Sequence, residues 1–502
     1  MALLIPIFIW RRGIVSSLLI PLIFAILLGF IKDLKLQKRL AIVGTLLALV
    51  AALSLILITH SNGPQVMMMG GWKPPFGILF SADLFSALFL FPINLLFFAV
   101  SIYQLQDTFS RLKIPLMFFL QLGMTLSLLT GDFFNLFVAF EVMLSASYAL
   151  IALEMRDKDL RWGFGYLVVN LVGTLGFLVA AAMIYGLKGH LNFHALSELM
   201  QGDRDNPFVV GWAYLLLGIF GLKAGLFPLF FWLPRTYPHL SPATSALFAG
   251  SLTKVGVYVL IRLFVFVLPG PFFSLNLLLM LLSGLTMLTG VLGAISMHSI
   301  RGILSYHIIS QIGYMTLGLS LFTPGAIAAS LLFTVHNIWA KASLFLIGGA
   351  AQASSHTDDL KKMGNLSSFT PWLAAAFLLQ ALALVGFPPL SGFWGKYLII
   401  LESLRAEHFI IAGIALITGW LTLFSMMKIW IGAFWKQRDP EYDAPLKKPP
   451  VIKLLSIGLI VLFSLALGIL AEPAYQAAFK ASNELFDKTA YHNAVIQVGG
   501  KG

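Results

Sequence analysis

Six ionisable side chains stand inside apolar runs of this chain: Glu141, Lys223, Lys254, His307, His336 and Lys396. A charged side chain at the centre of a bilayer costs about 2.5–3.5 kcal/mol on insertion scales, so each needs a partner or a task. Amines, a carboxylate and imidazoles all exchange protons, and intramembrane ionisable groups mark ion routes. Glu141, in "LTGDFFNLFVAFEVMLSASYALIAL", falls near mid-membrane at about 1.5 Å rise per residue. Beside the ammonium of Lys223 its carboxylate stays charged, because burial and an opposite neighbour act on it in opposing directions. The competing reading is an ion pair that only holds helices together. Lys254, in "FAGSLTKVGVYVLIRLFVF", lies too deep to reach either interface by snorkelling. His307 in "GILSYHIISQIGYM" and His336 in "FTVHNIWAKASLFLIGG" are read as imidazoles that pass a proton between two lysines, with simple packing as the alternative.

Other polar residues invite plainer readings. Lys341 follows His336 by five positions and is a secondary candidate, while Ser305, Ser310 and Gln311 are placed to hold waters or to join helices. Arg262 is expected to extend to headgroups, and Arg301 and Lys428 to be solvated or lipid-facing. Asp83 and Asp132 read as helix N-caps, and "HTDDLKKMGNL" as a loop.

The elements that position these groups follow from composition. Of 502 residues, 59% are hydrophobic and 11% charged, against roughly 25% charged in soluble domains, and the mean hydropathy is +0.90. The expectation is an all-α, polytopic membrane protein. Apolar windows of about 20 residues predict fourteen transmembrane helices near 14–31, 39–60, 81–103, 114–130, 132–153, 162–186, 208–232, 242–268, 274–297, 301–321, 325–350, 371–402, 409–435 and 452–472. The first run leads into another span rather than a cleavage site and is read as a permanent helix. A net charge of +12 is spread over loops rather than forming one basic face, which argues against nucleic acid. Eighteen lysines and arginines fall on one side of the predicted membrane and four (Lys73, Lys188, Arg204, Arg405) on the other, so both termini are expected outside. The absence of cysteine excludes disulfides, thiolate metal sites and cysteine-ligated clusters.

Two helices look broken: the seventh, with Lys223 ahead of Pro228 and Pro234, and the twelfth, whose "GFPPLSGFWGKYLII" holds Pro388, Pro389 and Lys396. They lie five helices apart, as matching parts of two inverted five-helix repeats (helices four to eight and nine to thirteen) would, and paired broken helices point to an ion path at the repeat interface. The chain thus divides into three N-terminal helices (1–112), a first repeat (113–268), a second repeat (269–435), and a last helix with a short tail (436–502).

"LTGDFFNLFVAFEVM", "GLKAGLFPLFFWLP", "LSYHIISQIGYM" and "GFPPLSGFWGKYLII" resemble the proton-translocating antiporter-like family of Mrp sodium/proton antiporters, the membrane arm of complex I and membrane-bound hydrogenases. The resemblance spans roughly residues 75–435. Within it, "GGWKPPFGI", "GDFFNLFVAFEVM" and "SYHIISQIGYM" are most similar to the D-subunit branch of Mrp antiporters. It implies fourteen helices with inverted repeats, a glutamate–lysine pair at Glu141 and Lys223, a central lysine at Lys254, a terminal lysine at Lys396, and a connecting histidine at His336 with His307 as the second choice. Lys396 argues against the complex I branch that carries glutamate there, and a tail of about thirty residues against the members with a long lateral helix.

The function the resemblance implies is relay of protons along these residues in a subunit of a multisubunit Na+/H+ antiporter, a transporter rather than an enzyme. No cofactor or metal is expected. The partners would be H+, Na+, other membrane subunits of an Mrp-like complex and the lipid of a prokaryotic plasma membrane. A proton-pumping arm of a complex I-type NADH:quinone oxidoreductase or of a membrane-bound hydrogenase is the alternative. A scaffold whose buried charges only join helices is the third.

Overall fold

The computed structural model describes residues 13–72, 77–438 and 445–500. Lys73 and the centre of the "GGWKPPFGI" motif lie outside the described residues. The chain is almost entirely helical. Its elements run α1 (Gly13–Phe30), α2 (Leu34–Asn62), a hairpin of β1 (Gln65–Met68) and β2 (Leu79–Ala82), α3 (Leu84–Tyr103), α4 (Lys113–Leu129), α5 (Phe133–Glu154), α6 (Leu160–Lys188), the short α7 (Phe193–Leu199) and α8 (Pro207–Ala224). There follow α9 (Pro242–Val267), α10 (Phe273–Ser296), α11 (Ile300–Leu321), α12 (Pro324–Ser355), α13 (Pro371–Val385), α14 (Ser391–Arg405), α15 (Phe409–Trp435), α16 (Val451–Ile469), α17 (Ala471–Asp487) and α18 (Thr489–Gly500). The strands pair antiparallel with Gln65 opposite Ala82.

Among the described residues, eleven helices are long and apolar enough to cross a membrane. Three predicted spans differ. Lys113–Leu129 is shorter, the twelfth is split into α13 and α14, and α11, a continuous helix of 22 residues, is made less apolar by Ser305, His307, Ser310 and Gln311.

Helix starts follow local chemistry. The Asp132 carboxylate accepts from Asn135 N, Ser299 caps α11 and Thr323 caps α12, each satisfying an amide that the helix cannot. The two interruptions share one local structure. Gly225 (φ 88°) and Gly386 (φ 95°) adopt the left-handed conformation after α8 and α13. At each, the glycine N–H and the next N–H turn back onto the last helical turn: Leu226 N donates to Gly221 O and Phe387 N to Leu382 O, a Schellman ending that a Cβ would disfavour. The seventh predicted helix therefore ends at Ala224, eight residues early, and only a short turn at Leu233–Thr236 follows.

α9 and α12 occupy the centre. From Ala243 onward every residue of α9 is buried, as is most of α12, and in the helix between Phe248 and Leu252 the winding loosens into a π-turn just ahead of Lys254. After α16 the chain turns back: α17 packs against α12 and α3, and α18 against β1 and α7, on the face opposite the Lys/Arg-rich loops.

Candidate functional site: a buried row of amines and imidazoles

Lys223 ends the first half of the broken helix α8 and is 5% exposed. Its ammonium donates to Asn170 O at 2.8 Å and Thr174 Oγ1 at 3.1 Å on α6. Among the described residues no carboxylate lies within 4.0 Å of it. Glu141, half-buried on α5, acts on Lys223 through space without touching it. The hydrogen-bond partners of the Lys223 ammonium are thus neutral oxygens from α6.

Lys254 is fully buried in α9, where its ammonium donates to Ala249 O, a carbonyl of the π-turn. π-bulges recur at functional sites because they free such carbonyls from the helical ladder. Two residues on, a Cβ at Gly256 would stand 3.1 Å from the Lys223 carbonyl carbon, so the backbones carrying the two lysines are in contact.

Lys341, fully buried on α12, lies within electrostatic range of both Lys254 and Lys396, and its nearest protein acceptor is Leu304 O at 3.4 Å. Sequence reasoning ranks it second; the structure sets it in the middle of the row. His307 and His336 flank it, both fully buried and both within range of Lys341 and Lys396. His307 Nε2 meets Ser425 Oγ at 2.6 Å, and its Nδ1 faces Ser310 Oγ at 3.4 Å. His336 Nδ1 meets Ser391 Oγ at 2.7 Å, and Ser391 in turn meets Ser464 Oγ at 3.0 Å.

Lys396 sits on α14 just past the interruption. Its ammonium donates to Leu384 O (2.9 Å) and Val385 O (3.1 Å), the last carbonyls of α13, where the helix dipole favours a cation. It lies 4.7 Å from the centre of the Tyr314 ring, at the base of an apolar cleft of about 430 Å³ walled by Phe387, Phe393 and Trp420. Lys254, Lys341 and Lys396 are therefore held by carbonyls and a ring face rather than by carboxylates.

Several buried polar atoms along this row have no protein partner: His336 Nε2, both amide atoms of Asn337, Thr253 Oγ1, Gln311 Oε1 and both amide atoms of Gln380. Leaving a buried polar atom unsatisfied costs about 1–3 kcal/mol, so such a lining favours hydrogen-bonding solvent.

Four other charges behave differently from expectation. Arg262 does not reach headgroups: it is 5% exposed and grips Asp83 in a two-point pair, Nη1 to Oδ2 at 2.5 Å and Nη2 to Oδ1 at 2.7 Å, while Tyr258 Oη accepts from Nη2 at 3.0 Å. Asp83 also caps α3 through Ser86, as expected. Lys113, one of the eighteen lysines and arginines counted on the more basic side, is buried and paired with Glu154 at 2.7 Å, a carboxylate that also accepts from Ser241 N and Thr244 Oγ1 at the start of α9. Lys428 donates to Ile295 O and Met297 O, closing the end of α10, and Arg301 donates to Leu240 O and faces Asp358, so neither is simply solvated. None of these partners is near in sequence, and no local pattern announces them. At the loops, Asp203 is held below the usual carboxylate range by its hydrogen bond from Lys188.

The sequence pattern of the transmembrane NADH:quinone oxidoreductase/Mrp antiporter family matches residues 130–422. The chain is 41% identical over 495 residues to the D-subunit of the Na(+)/H(+) antiporter of Alkalihalophilus pseudofirmus, covering 96% of this chain and 99% of that one. It is 32% identical to the protein of the same name from Bacillus subtilis, with the same coverage. A chain of the solved Mrp complex from Dietzia sp. DQ12-45-1b superposes with a TM-score of 0.91 at 28% identity, over 97% of this chain and 99% of that one. The match spans more than half of the chain and takes in Glu141, Lys223, Lys254, His307, His336 and Lys396, so the chain belongs to the NADH:quinone oxidoreductase/Mrp antiporter family of membrane proteins.

Proposed function

We propose that this chain is a proton-conducting subunit of a multisubunit Na+/H+ antiporter, and that protons move through Lys223, Lys254, Lys341, His336 and Lys396, with His307 beside them and Glu141 biasing Lys223. The observation that carries this reading is the row from Lys254 to Lys396: buried amines within range of one another, interleaved with imidazoles and partnerless amides, with no carboxylate paired to them. A scaffold would pair such charges, as Arg262–Asp83 and Lys113–Glu154 do. Two positive charges roughly 8 Å apart repel by about 2 kcal/mol at an effective dielectric constant of about 20, so a proton arriving at one amine drives the next to let go. Moving one charge across 100 mV involves about 2.3 kcal/mol, the same scale, so a few such handovers couple to the membrane potential.

Eleven long apolar helices, together with α4, α11 and the α13–α14 pair, amount to fourteen spans, in inverted repeats covering 113–268 and 269–435 after an N-terminal unit (1–112) and before the last span and tail (436–502). The matching Gly225 and Gly386 endings support that repeat. The proposed setting is a prokaryotic plasma membrane with both termini outside and other antiporter subunits alongside; the chain acts as a transporter and not an enzyme. The test is cation/proton antiport in everted vesicles without an electron donor. Lys254→Met and Glu141→Ala, in complexes that still assemble, should lower flux by roughly 100-fold, the scale of a lost proton-transfer group. Undiminished flux in assembled variants refutes the relay. Flux that appears only with a redox donor favours the oxidoreductase arm.

A further inference from the structure

Outside the membrane core, on the face opposite the Lys/Arg-rich loops, three metal-ligating side chains converge from two distant parts of the chain. We propose that His194 and Glu198 on α7 and His492 on α18 form a binding site for a divalent transition-metal ion of zinc's type, which staples the C-terminal helix to the body of the protein. One ligand atom from each of the three lies within 4.8 Å of the other two. His194 and Glu198 are four residues apart on one helix and so share a face. His492 arrives from 298 positions later, its Nδ1 in direct contact with His194 Nδ1. The Glu198 carboxylate reaches both rings, 3.8 Å from His194 Nε2 and 3.5 Å from His492 Nδ1.

The ligands are held by their surroundings. Asn192 Oδ1 accepts from His194 N, and Phe193 N donates to Gly131 O, which fastens α7 to the start of α5. Ser197 Oγ lies 3.3 Å from His492 Nε2, engaging one ring nitrogen and leaving Nδ1 directed at the cluster, the kind of outer contact that orients metal-binding histidines. Tyr491 Oη donates to Ser81 Oγ at 2.9 Å, and the His492 ring stacks on Phe266. The imidazoles are largely buried, with side chains 12% and 15% exposed, whereas Glu198 is 52% exposed, so an ion has a route in and a coordination position open to water. Zinc–nitrogen and zinc–oxygen bonds of about 2.0–2.2 Å set ligand atoms about 3.3 Å apart, so the exposed Glu198 carboxylate closes in slightly and the touching imidazole nitrogens separate to admit the ion. Two imidazoles and one carboxylate suit Zn2+, Co2+, Ni2+ or Cu2+; Mg2+ and Ca2+ prefer all-oxygen shells.

The full chain, purified without a polyhistidine tag and placed in nanodiscs, is titrated with ZnCl2 against a chromophoric chelator and with CoCl2 by absorbance. One saturable equivalent is expected, with Co2+ bands of low coordination number. His194→Ala and His492→Gln should each weaken binding by at least about tenfold. His190→Ala, a histidine of the same loop outside the cluster, should leave binding unchanged. Zinc should also slow hydrogen exchange across residues 489–498 in the native protein and not in His492→Gln. The proposal is overturned if the native chain binds no saturable equivalent, or if that equivalent survives both histidine substitutions. It is also overturned if the exchange of α18 ignores zinc.

Discussion

The Arg262–Asp83 pair separates charges that build the protein from charges that work in it, and its removal has a calculable cost. Asp83 accepts both guanidinium Nη donors and the Ser86 amide, and it is 6% exposed. In Asp83→Ala the guanidinium keeps only Tyr258 Oη, so an uncompensated buried charge costs about 3–5 kcal/mol. The lost cap of α3 adds about 1 kcal/mol. The expected destabilisation is therefore about 4–6 kcal/mol. Asp83→Asn, which retains an acceptor for Ser86, should fall short of that by about the capping amount. Replacing both partners with apolar residues, Asp83→Leu with Arg262→Met, should recover most of the loss, because breaking a buried pair is far worse than deleting it. Reversible unfolding in SDS of the native chain, Asp83→Leu, Arg262→Met and the double variant closes the double-mutant cycle, with a coupling energy of about 2–4 kcal/mol expected. The reasoning fails if Asp83→Ala unfolds like the native chain, or if the double variant equals the sum of the single ones. The same double variant should keep most of its antiport, since this pair stands apart from the lysine row.

Lys396→Met should abolish antiport while leaving stability close to native, because no carboxylate is stranded when the amine is removed; a drop in stability comparable to that of Asp83→Ala would reassign Lys396 to structure. Gly386→Ala forces a Cβ into a left-handed position and to 3.1 Å from the Lys396 side chain; a loss of about 1–2 kcal/mol is expected, read by the same SDS titration. Burial, and after it the Asp83 charge, raises Glu484 on α17 from its usual 4.5 to about 6. The docked helix then holds a proton more tightly than the undocked one. Docking should be strongest below about pH 4.5, weaken between 4.5 and 6, and level off above, as followed by hydrogen exchange over 471–487 corrected for intrinsic rates; Glu484→Gln should flatten the profile.

Lys254 and Lys396 are legible in the sequence because an amine deep in an apolar run is not an ordinary solvated surface charge, and both interruptions are legible because clustered glycine and proline disfavour a continuous helix. Their exact form is not: α8 loses its last turns once Gly225 turns left-handed, which a window of hydropathy does not register. Arg262 is misread because its partner lies 179 residues away, and Lys113 because its partner Glu154 ends a different helix. Each sits near a predicted span end, where a solvated charge is the ordinary expectation. Lys341 is undervalued since its neighbours, Lys254 and Lys396, are assembled only by the packing of α9, α12 and α14. The cluster at His194 and His492 leaves no trace in the sequence, its halves belonging to a short surface helix and a terminal one.

The perch of Lys396 is made of main chain, the exposed carbonyls of Leu384 and Val385. Every amino acid brings the same carbonyl, so residues 384 and 385 are free to change identity over evolution without withdrawing the seat from the lysine. What must persist is the shape of the chain there. The seat is therefore guarded by a single backbone turn at Gly386, and a kindred protein that keeps that turn keeps a place for the cation even where every surrounding side chain has drifted.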